Sequence, residues 1–413
     1  MICLRPSQDI ISMFSHRDVL HFPSDQTTIN NTMLLTEFKS IDLSTSGEKL
    51  QEFDREVLHE RSFLDKGVFG HVWLVELLED PSELQKLESR ESQDFGYATK
   101  YQQRNPRFAL KCINPNVADP EEAALQLTNE ARILSELDHE NIIKIRGVGS
   151  ETFSGSLQSR NFFLLLDVLD ETLEDRLERW GKEKATNIRR KFRKLISNDS
   201  NHRLKDCQRM YRRIYESTLG IARGMEYLHQ KKIVWCDVKP ANIGFYMDAR
   251  ALRGGRPETT VKLFDFGMAA KVEDCDDGES RGSLRYMSPE VMNGKRYTLE
   301  ADVFSYGVLL AQICALRVPY SKAVRTKKLS LGDFQNKVKS GELRPVEDLE
   351  KAIPCTRLLA LIEECLGAPA GRPTCTQIVQ RLATIFVDPG DKLNESISTS
   401  LSMTRLSIEA GSE

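Results

Sequence analysis

The chain has 413 residues, of which 40% are hydrophobic and 29% charged, with a formal net charge of -3. That length exceeds a typical single domain, and the apolar fraction is enough to fill one large core or two coupled ones. The near-neutral balance gives no global pull toward nucleic acid or an anionic membrane, so a small soluble molecule or another protein is the expected partner. The longest apolar runs, Phe162 to Leu166 and Val308 to Leu316, are well short of the roughly 20 residues of a membrane span. No span is expected. The opening Met1-Ile2-Cys3-Leu4-Arg5 leads into mixed polar sequence, which gives no expectation of a secretory signal. Nine cysteines, odd in number and without a C-x-x-C pair, argue against a disulfide framework or a zinc site and for reduced thiols in a cytosolic protein.

In chain order, residues 1–55 are rich in Ser, Thr, Asp and Asn and read as a flexible arm. Short apolar or alternating runs then predict strands at Gly70 to Glu76, Phe108 to Ile113, Ile142 to Val148 and Asn161 to Val168. Among them Glu121 to Leu137 sets Ala124, Leu127, Ala131, Leu134 and Leu137 at helical spacing behind the start signal Asp119-Pro120. After Leu169 the pattern turns helical, at Tyr211 to Leu228, Ala301 to Leu316 and Arg357 to Leu366, with strand-like pieces near Ile233 and Leu263. Two polar stretches, about 79–107 and 181–205, read as insertions in surface loops. Residues 387–413, with Ser396, Ser398, Ser400, Ser402 and Ser407, read as a disordered Ser-rich tail. The expected fold class is α+β, with a small sheet-rich region at 56–169 ahead of a larger helical one at 170–386.

Chemistry-bearing residues occur at intervals along this frame. Gly67 and Gly70, in Leu64-Asp65-Lys66-Gly67-Val68-Phe69-Gly70-His71-Val72, sit between strand-like runs where backbone N–H groups could face phosphate oxygens. By themselves they also suit an ordinary hairpin turn. Lys111 interrupts the apolar strand Phe108-Ala109-Leu110-Lys111-Cys112, and an ammonium there needs a carboxylate or phosphate partner. Glu130, placed beside the apolar stripe of the following helix, is the best-placed carboxylate. Asp237, Asn242 and Asp265, in Asp237-Val238-Lys239-Pro240-Ala241-Asn242 and Asp265-Phe266-Gly267, offer hard oxygens suited to Mg²⁺ held together with phosphate.

Glycine loop, strand lysine, helix glutamate, D-x-K-x-x-N, D-F-G and Ser288-Pro289-Glu290 follow one another in an order that resembles the eukaryotic protein kinase family over residues 56–386. The resemblance implies a bilobal protein kinase fold, ATP and Mg²⁺ as cofactors, and transfer of the γ-phosphate to serine or threonine hydroxyls of a protein substrate in intracellular signalling. It implies an ATP site made by Leu64, Gly67, Gly70, Val72, Ala109, Lys111, Glu130, Leu166, Asp167 and Leu169. Leu166 stands at the gatekeeper position, and Asp167 to Leu169 form the hinge. Asn242 and Asp265 are the implied metal ligands, and Asp237 and Lys239 the implied catalytic pair. A buried Glu290–Arg372 ion pair and a catalytic loop braced by Asp302 are implied as well. Lys239 and Gly282-Ser283 resemble the serine/threonine type, with the Ser283 hydroxyl placed to bridge Asp237 and Lys239. Arg285 to Val291 and Asp302 to Leu310 look most like the tyrosine-kinase-like group.

Three positions depart from the family's pattern. Asp65 replaces the first loop glycine and is expected to weaken ATP binding by like-charge repulsion. Trp235 and Cys236 stand where the family carries His and Arg. Trp235 is read as core packing. A neutral thiol cannot pair with a phosphorylated activation loop, so activity is expected to be independent of such phosphorylation. The acidic run Glu273 to Glu279 fits that expectation, and Cys236 itself is read as an inert thiol rather than a redox handle. The basic run Arg189 to Lys194 reads as a solvated insertion, with a nuclear address or a docking surface for an acidic partner as the alternatives. The arms and insertions are candidate surfaces for a regulatory partner, and a scaffold that binds ATP weakly without transferring phosphate, a pseudokinase, is the alternative function.

Overall fold

The computed structural model describes residues 50–67, 70–78, 106–150, 162–193, 200–253, 256–278, 281–321, 329–345, 353 and 355–387. The chain divides into two compact units. The first comprises residues 1–170 and 264–269, and the second 171–263 and 270–413.

The first unit holds strands β1 (Glu52–Phe53), β2 (Leu58–Lys66), β3 (Gly70–Leu77), β4 (Arg107–Ile113), β5 (Ile145–Gly149) and β6 (Phe163–Leu166), with helix α1 (Pro120–Ser135) between β4 and β5. The strands form one sheet in the order β1-β5-β6-β4-β3-β2. Alternation along β3 and β4 sends Val75 and Leu110 to one face, where they pack with Phe53, Leu58, Phe163 and Leu165. Helix α1 starts as the sequence predicts. Asp119 caps it by accepting the Glu122 N–H at 3.0 Å, and Pro120 occupies its first turn. Its buried face runs through Ala124, Leu127, Ala131 and Leu134 and also includes Glu130.

Two expectations need correction in this unit. The arm does not extend to residue 55: Phe53 is buried, β1 pairs in parallel with Val148 and Gly149, and a side chain at Gly147 would run into the Phe53 ring. The predicted strand from Ile142 begins only at Ile145, because Ile142 closes a turn by donating its N–H to the His139 carbonyl at 3.0 Å. Residues 79–105, most of the first insertion, lie outside the described residues, as does the tail from 388 on.

The second unit contains β7 (Glu171–Thr172), α2 (Leu173–Arg193), α3 (Ser200–Gln230), β8 (Ile233–Val234), β9 (Ile243–Arg253), β10 (Arg256–Leu263), β11 (Ala270–Lys271), α4 (Pro289–Met292), α5 (Leu299–Ala315), α6 (Leu331–Lys339), α7 (Thr356–Cys365) and α8 (Cys375–Val387). Every residue of α5 from Ala301 to Ala315 is buried. This helix is the axis of the unit, buried all round, and α3 and α7 pack on it. Two small sheets, β10-β9-β7 and β11-β8, frame the loops that precede and follow them.

The second insertion is not a loop where it is described. Helix α2 continues to Arg193 and α3 starts at Ser200, so the polar stretch lengthens two helices. The piece expected near Leu263 is likewise one arm of a longer hairpin, β9 with β10, carrying a bulge between Pro257 and Glu258. Among the described residues no helix is long and apolar enough to cross a membrane.

Candidate active site

The residues singled out by the sequence fall into two groups, one in each unit. In the first, strand register sets the arrangement. Val72 lies opposite Lys111, and Ala109 lies opposite Leu166 on the next strand. The turn between β2 and β3 is closed by the Gly67 N–H donating to the Gly70 carbonyl at 2.8 Å. Gly70 is tightly placed: a Cβ there would stand 3.0 Å from the Cys112 carbonyl oxygen, and the neighbouring backbone would have to give way. Leu64 and Asp65 on β2 are exposed, and the Asp65 carboxylate accepts its neighbour's N–H, from Lys66, at 2.7 Å. Asp167 follows β6 directly, donating its N–H to the Lys144 carbonyl at 3.1 Å and accepting from Arg146 Nε at 2.6 Å, with Leu169 half-buried beyond it.

Lys111 joins two carboxylates. Its Nζ lies 2.5 Å from Glu130 Oε2 and 2.8 Å from Asp265 Oδ1. Glu130 is only 1% exposed, while the Asp265 side chain keeps 42% of its surface. Burial would pull the Lys111 ammonium down, but Asp265 and Glu130 outweigh it and hold its pKa above the ordinary lysine value. Burial pushes Glu130 up, against the pull of Lys111. The other carboxylate oxygen, Glu130 Oε1, accepts the Phe266 N–H at 3.2 Å, so α1 holds the backbone just after Asp265 as well. Asp265 has φ of 64°, left-handed backbone that a non-glycine residue adopts only under constraint.

In the second unit the loop from Trp235 to Asn242 is built around two aspartates. Asp302, fully buried on α5, accepts the Trp235 N–H at 2.7 Å and the Cys236 N–H at 3.0 Å. It also meets His229 Nε2 at 3.2 Å, and the other ring nitrogen of His229 lies 3.2 Å from Cys375 Sγ. Burial works against a charged His229, yet Cys375 and Asp302 prevail and raise its pKa to about 10. Trp235 is completely buried. Cys236 is 2% exposed with φ of 69°, and burial, then the Asp302 charge, pushes its thiol well above the ordinary range. Its carbonyl accepts the Tyr297 hydroxyl at 2.8 Å.

Asp237, 5% exposed, lies 2.7 Å from Lys239 Nζ through Oδ2 and accepts Asn242 Nδ2 on the same oxygen at 2.9 Å. Asn242 Nδ2 also reaches the Asp237 carbonyl at 3.0 Å, which leaves Oδ1 as the hard donor this amide can give to a cation. Ser283 does bridge the pair, by two different groups: its hydroxyl meets Lys239 Nζ at 3.2 Å and its backbone N–H donates to Asp237 Oδ1 at 3.0 Å. Gly282 makes that approach feasible. It has φ of 97°, and any Cβ would collide with the Cys236 carbonyl oxygen.

Farther from the Trp235 to Asn242 loop, Arg372 grips both carboxylate oxygens of Glu290, with Nη2 to Oε2 at 3.0 Å, as the sequence led one to expect. It also donates to the carbonyls of Glu300 and Gly367, each at 2.9 Å. Sequence reasoning missed Tyr297 and His229 as partners of the loop, and Asn129 on α1. A tyrosine, a histidine and a polar helix residue carry no pattern that marks them.

Over most of its length the chain resembles known proteins. The family described as "Protein kinase domain" matches residues 94–382, a span that begins after the β2–β3 hairpin. The mouse "Interferon-induced, double-stranded RNA-activated protein kinase" is 28% identical over 70% of this chain and 48% of its own length. A Drosophila melanogaster "Putative mitogen-activated protein kinase kinase kinase 7-like" is 27% identical over 70% of this chain and 64% of its own. The Arabidopsis thaliana "Serine/threonine-protein kinase 12" is 27% identical over 76% and 59%. The chain thus spans from about half to just under two thirds of the length of these relatives.

Proposed function

The chain belongs to the protein kinase domain family, and from that premise we propose that it is an ATP- and Mg²⁺-dependent kinase that phosphorylates serine and threonine hydroxyls of proteins. The observation that carries the reading is Lys111 held between Glu130 and Asp265. An ammonium fixed by a buried carboxylate is pre-positioned to neutralise phosphate charge without reorganising. The donor set suits the cofactors: Asp265 and Asn242 offer hard oxygens for Mg²⁺, and Gly67 and Gly70 leave backbone within reach of phosphate. When bound, Mg·ATP supplies the transferable phosphoryl group, with ADP as the leaving group.

The rest of the chemistry belongs to the chain. Asp237 orients the acceptor hydroxyl and takes its proton as the new phosphoester bond forms, and its pairing with Lys239 and Asn242 keeps the carboxylate in place. Lys239 steadies the phosphoryl group in transit. Ser283 ties the segment that would receive the acceptor to both residues, which supports a hydroxyl of Ser or Thr as substrate. Leu64, Val72, Ala109, Leu166 and Leu169 line the adenine end in this reading, with the Asp167 to Leu169 backbone as its polar edge. An intracellular signalling setting goes with it, where ATP, Mg²⁺ and protein acceptors coexist.

The test is radiolabelled phosphate transfer from ATP to a generic protein acceptor, followed by phosphoamino-acid analysis, comparing wild type with Asp237→Asn. Label in phosphoserine and phosphothreonine that falls at least about 100-fold in the variant is expected. Equal label in the two proteins would sink the kinase reading and leave a non-catalytic nucleotide binder.

A further inference from the structure

We propose that Asn129 is a positioning residue that fixes the metal-ligand segment Asp265 to Ala269 against α1, an inference that rests on the kinase reading above. Gln126, Asn129 and Glu130 stand at i, i+3 and i+4 and so share one face of α1. All three engage the segment that follows Asp265. Asn129 Nδ2 lies 2.9 Å from the Ala269 carbonyl, 3.0 Å from that of Gly267 and 3.4 Å from that of Phe266. Glu130 accepts the Phe266 N–H, and Gly267 comes so close that a Cβ there would stand 3.3 Å from Gln126 Cβ.

The orientation of the amide is set chemically. Arg132 Nη2 donates to Asn129 Oδ1 at 3.0 Å, and a guanidinium has no acceptor to offer. A flipped amide would put its oxygen against three carbonyl oxygens and its NH₂ against that cation. The side chain is therefore a two-hydrogen donor that a cluster of three carbonyls shares. Such a cluster is self-repelling without it, and it lies immediately after a residue at φ 64°. Lys111 and Glu130 restrain the Asp265 carboxylate and the Phe266 N–H. Asn129 restrains the carbonyls, and with them the direction in which the carboxylate leaves the backbone.

The isosteric Asn129→Asp substitution places a carboxylate against those carbonyls, while Asn129→Ala removes the donor, and Arg132→Gln loosens its orientation. The readout is the Mg²⁺ concentration that gives half-maximal binding of ATP, followed by calorimetric titration, with thermal melting and hydrogen exchange of the peptide covering 264–271 measured beside it. Asn129→Asp should raise the Mg²⁺ requirement about tenfold or more, and Asn129→Ala about threefold or more. Arg132→Gln should do less, and exchange in 264–271 should quicken in the same order. A merely structural role would lower Tm and leave the Mg²⁺ requirement of the folded fraction unchanged, which would overturn the proposal. If Asn129→Asp does not fold, Asn129→Ala decides. Wild type that binds Mg·ATP without labelling proteins refutes the kinase reading alone, because the Mg²⁺ shift still reports on Asn129. Wild type that shows no Mg²⁺-dependent ATP binding refutes the positioning role.

Discussion

Replacing Glu130 by Gln should damage the use of ATP far more than it damages the fold. The carboxylate is 1% exposed, lies 2.5 Å from Lys111 Nζ and accepts the Phe266 N–H at 3.2 Å. Gln keeps the volume and an oxygen for Phe266, but it sets an uncharged NH₂ donor where Lys111 now finds the Oε2 acceptor. Burial already pushes the Glu130 pKa up, so deleting the charge relieves a desolvation cost while it deletes an attraction. The two effects oppose, and fold stability should change by about 1 kcal/mol or less. Lys111 does not enjoy that cancellation. It loses its buried partner and is drawn toward Asp265, the more exposed one at 2.8 Å. A hydrogen bond to a charged group contributes about 1.5 to 3 kcal/mol, so kcat/KM for ATP should fall about 10- to 150-fold. Steady-state kinetics with ATP varied at saturating Mg²⁺, run beside a thermal melt, reads both quantities. A kcat/KM within about twofold of wild type at unchanged Tm would refute the argument that the Glu130 charge positions Lys111.

Three further outcomes follow from the same structure. Asp65→Gly removes an exposed carboxylate beside the glycine turn and should lower the ATP KM about threefold; an unchanged KM would show that Asp65 does not repel the nucleotide. Phosphatase treatment should leave activity intact, because the loop after β11 is tied without phosphate: Val272 N–H to the Lys232 carbonyl at 2.9 Å, Gly278 N–H to the Gly294 carbonyl at 2.8 Å, and Arg296 N–H to Asp277 Oδ1 at 2.7 Å. A large loss traced to Ser280 or Ser283 would refute it. Thermal stability should decline as pH rises. His229 has a folded pKa raised from 6.5 to about 10, so its contribution is full below 6.5 and is lost as pH climbs to about 10. His229→Gln should flatten that slope in a melting series, and an unchanged slope would remove His229 from the account.

How much could be read in advance depended on whether the cause of a feature is local. Helix α1 was legible because its cap, its proline and its apolar stripe all lie within one stretch, and Lys111 was legible because a charge inside an apolar strand demands a partner. Strand β1 was not, since Phe53 is an isolated aromatic in polar sequence, and the parallel pairing that recruits it involves residues almost a hundred positions away. Residues 181–193 and 200–205 were read as loops from their polarity, although Lys, Glu, Arg and Ala are all good helix formers. Strand β9 was not singled out either. Met247, Ala249, Ala251 and Leu252 favour helix, and only cross-strand pairing with β10 holds that stretch extended. Gly254-Gly255 was the available hairpin signal. In the candidate site, the acids and lysines were legible as a set, whereas Asn129 and Tyr297 act through backbone carbonyls that no pattern of side chains reveals.

Position 236 shows why a departure from a family's pattern need not disable a loop. What the fold takes from this residue is its backbone. The N–H donates to Asp302, the carbonyl accepts the Tyr297 hydroxyl, and the glycine at 282 leaves room for that carbonyl. The left-handed conformation, with φ of 69°, costs on the order of 1 to 2 kcal/mol for a non-glycine residue, and these contacts hold it there. Among the described residues the thiol makes one long hydrogen-bond contact, 3.9 Å to the Val234 carbonyl, and its burial keeps it protonated. Its side chain is therefore the replaceable part of the residue. Asp237 next to it is oriented by Lys239, Asn242 and the Ser283 backbone, none of which depends on the side chain at 236. With the cysteine in place, the groups proposed to transfer phosphate keep their supports.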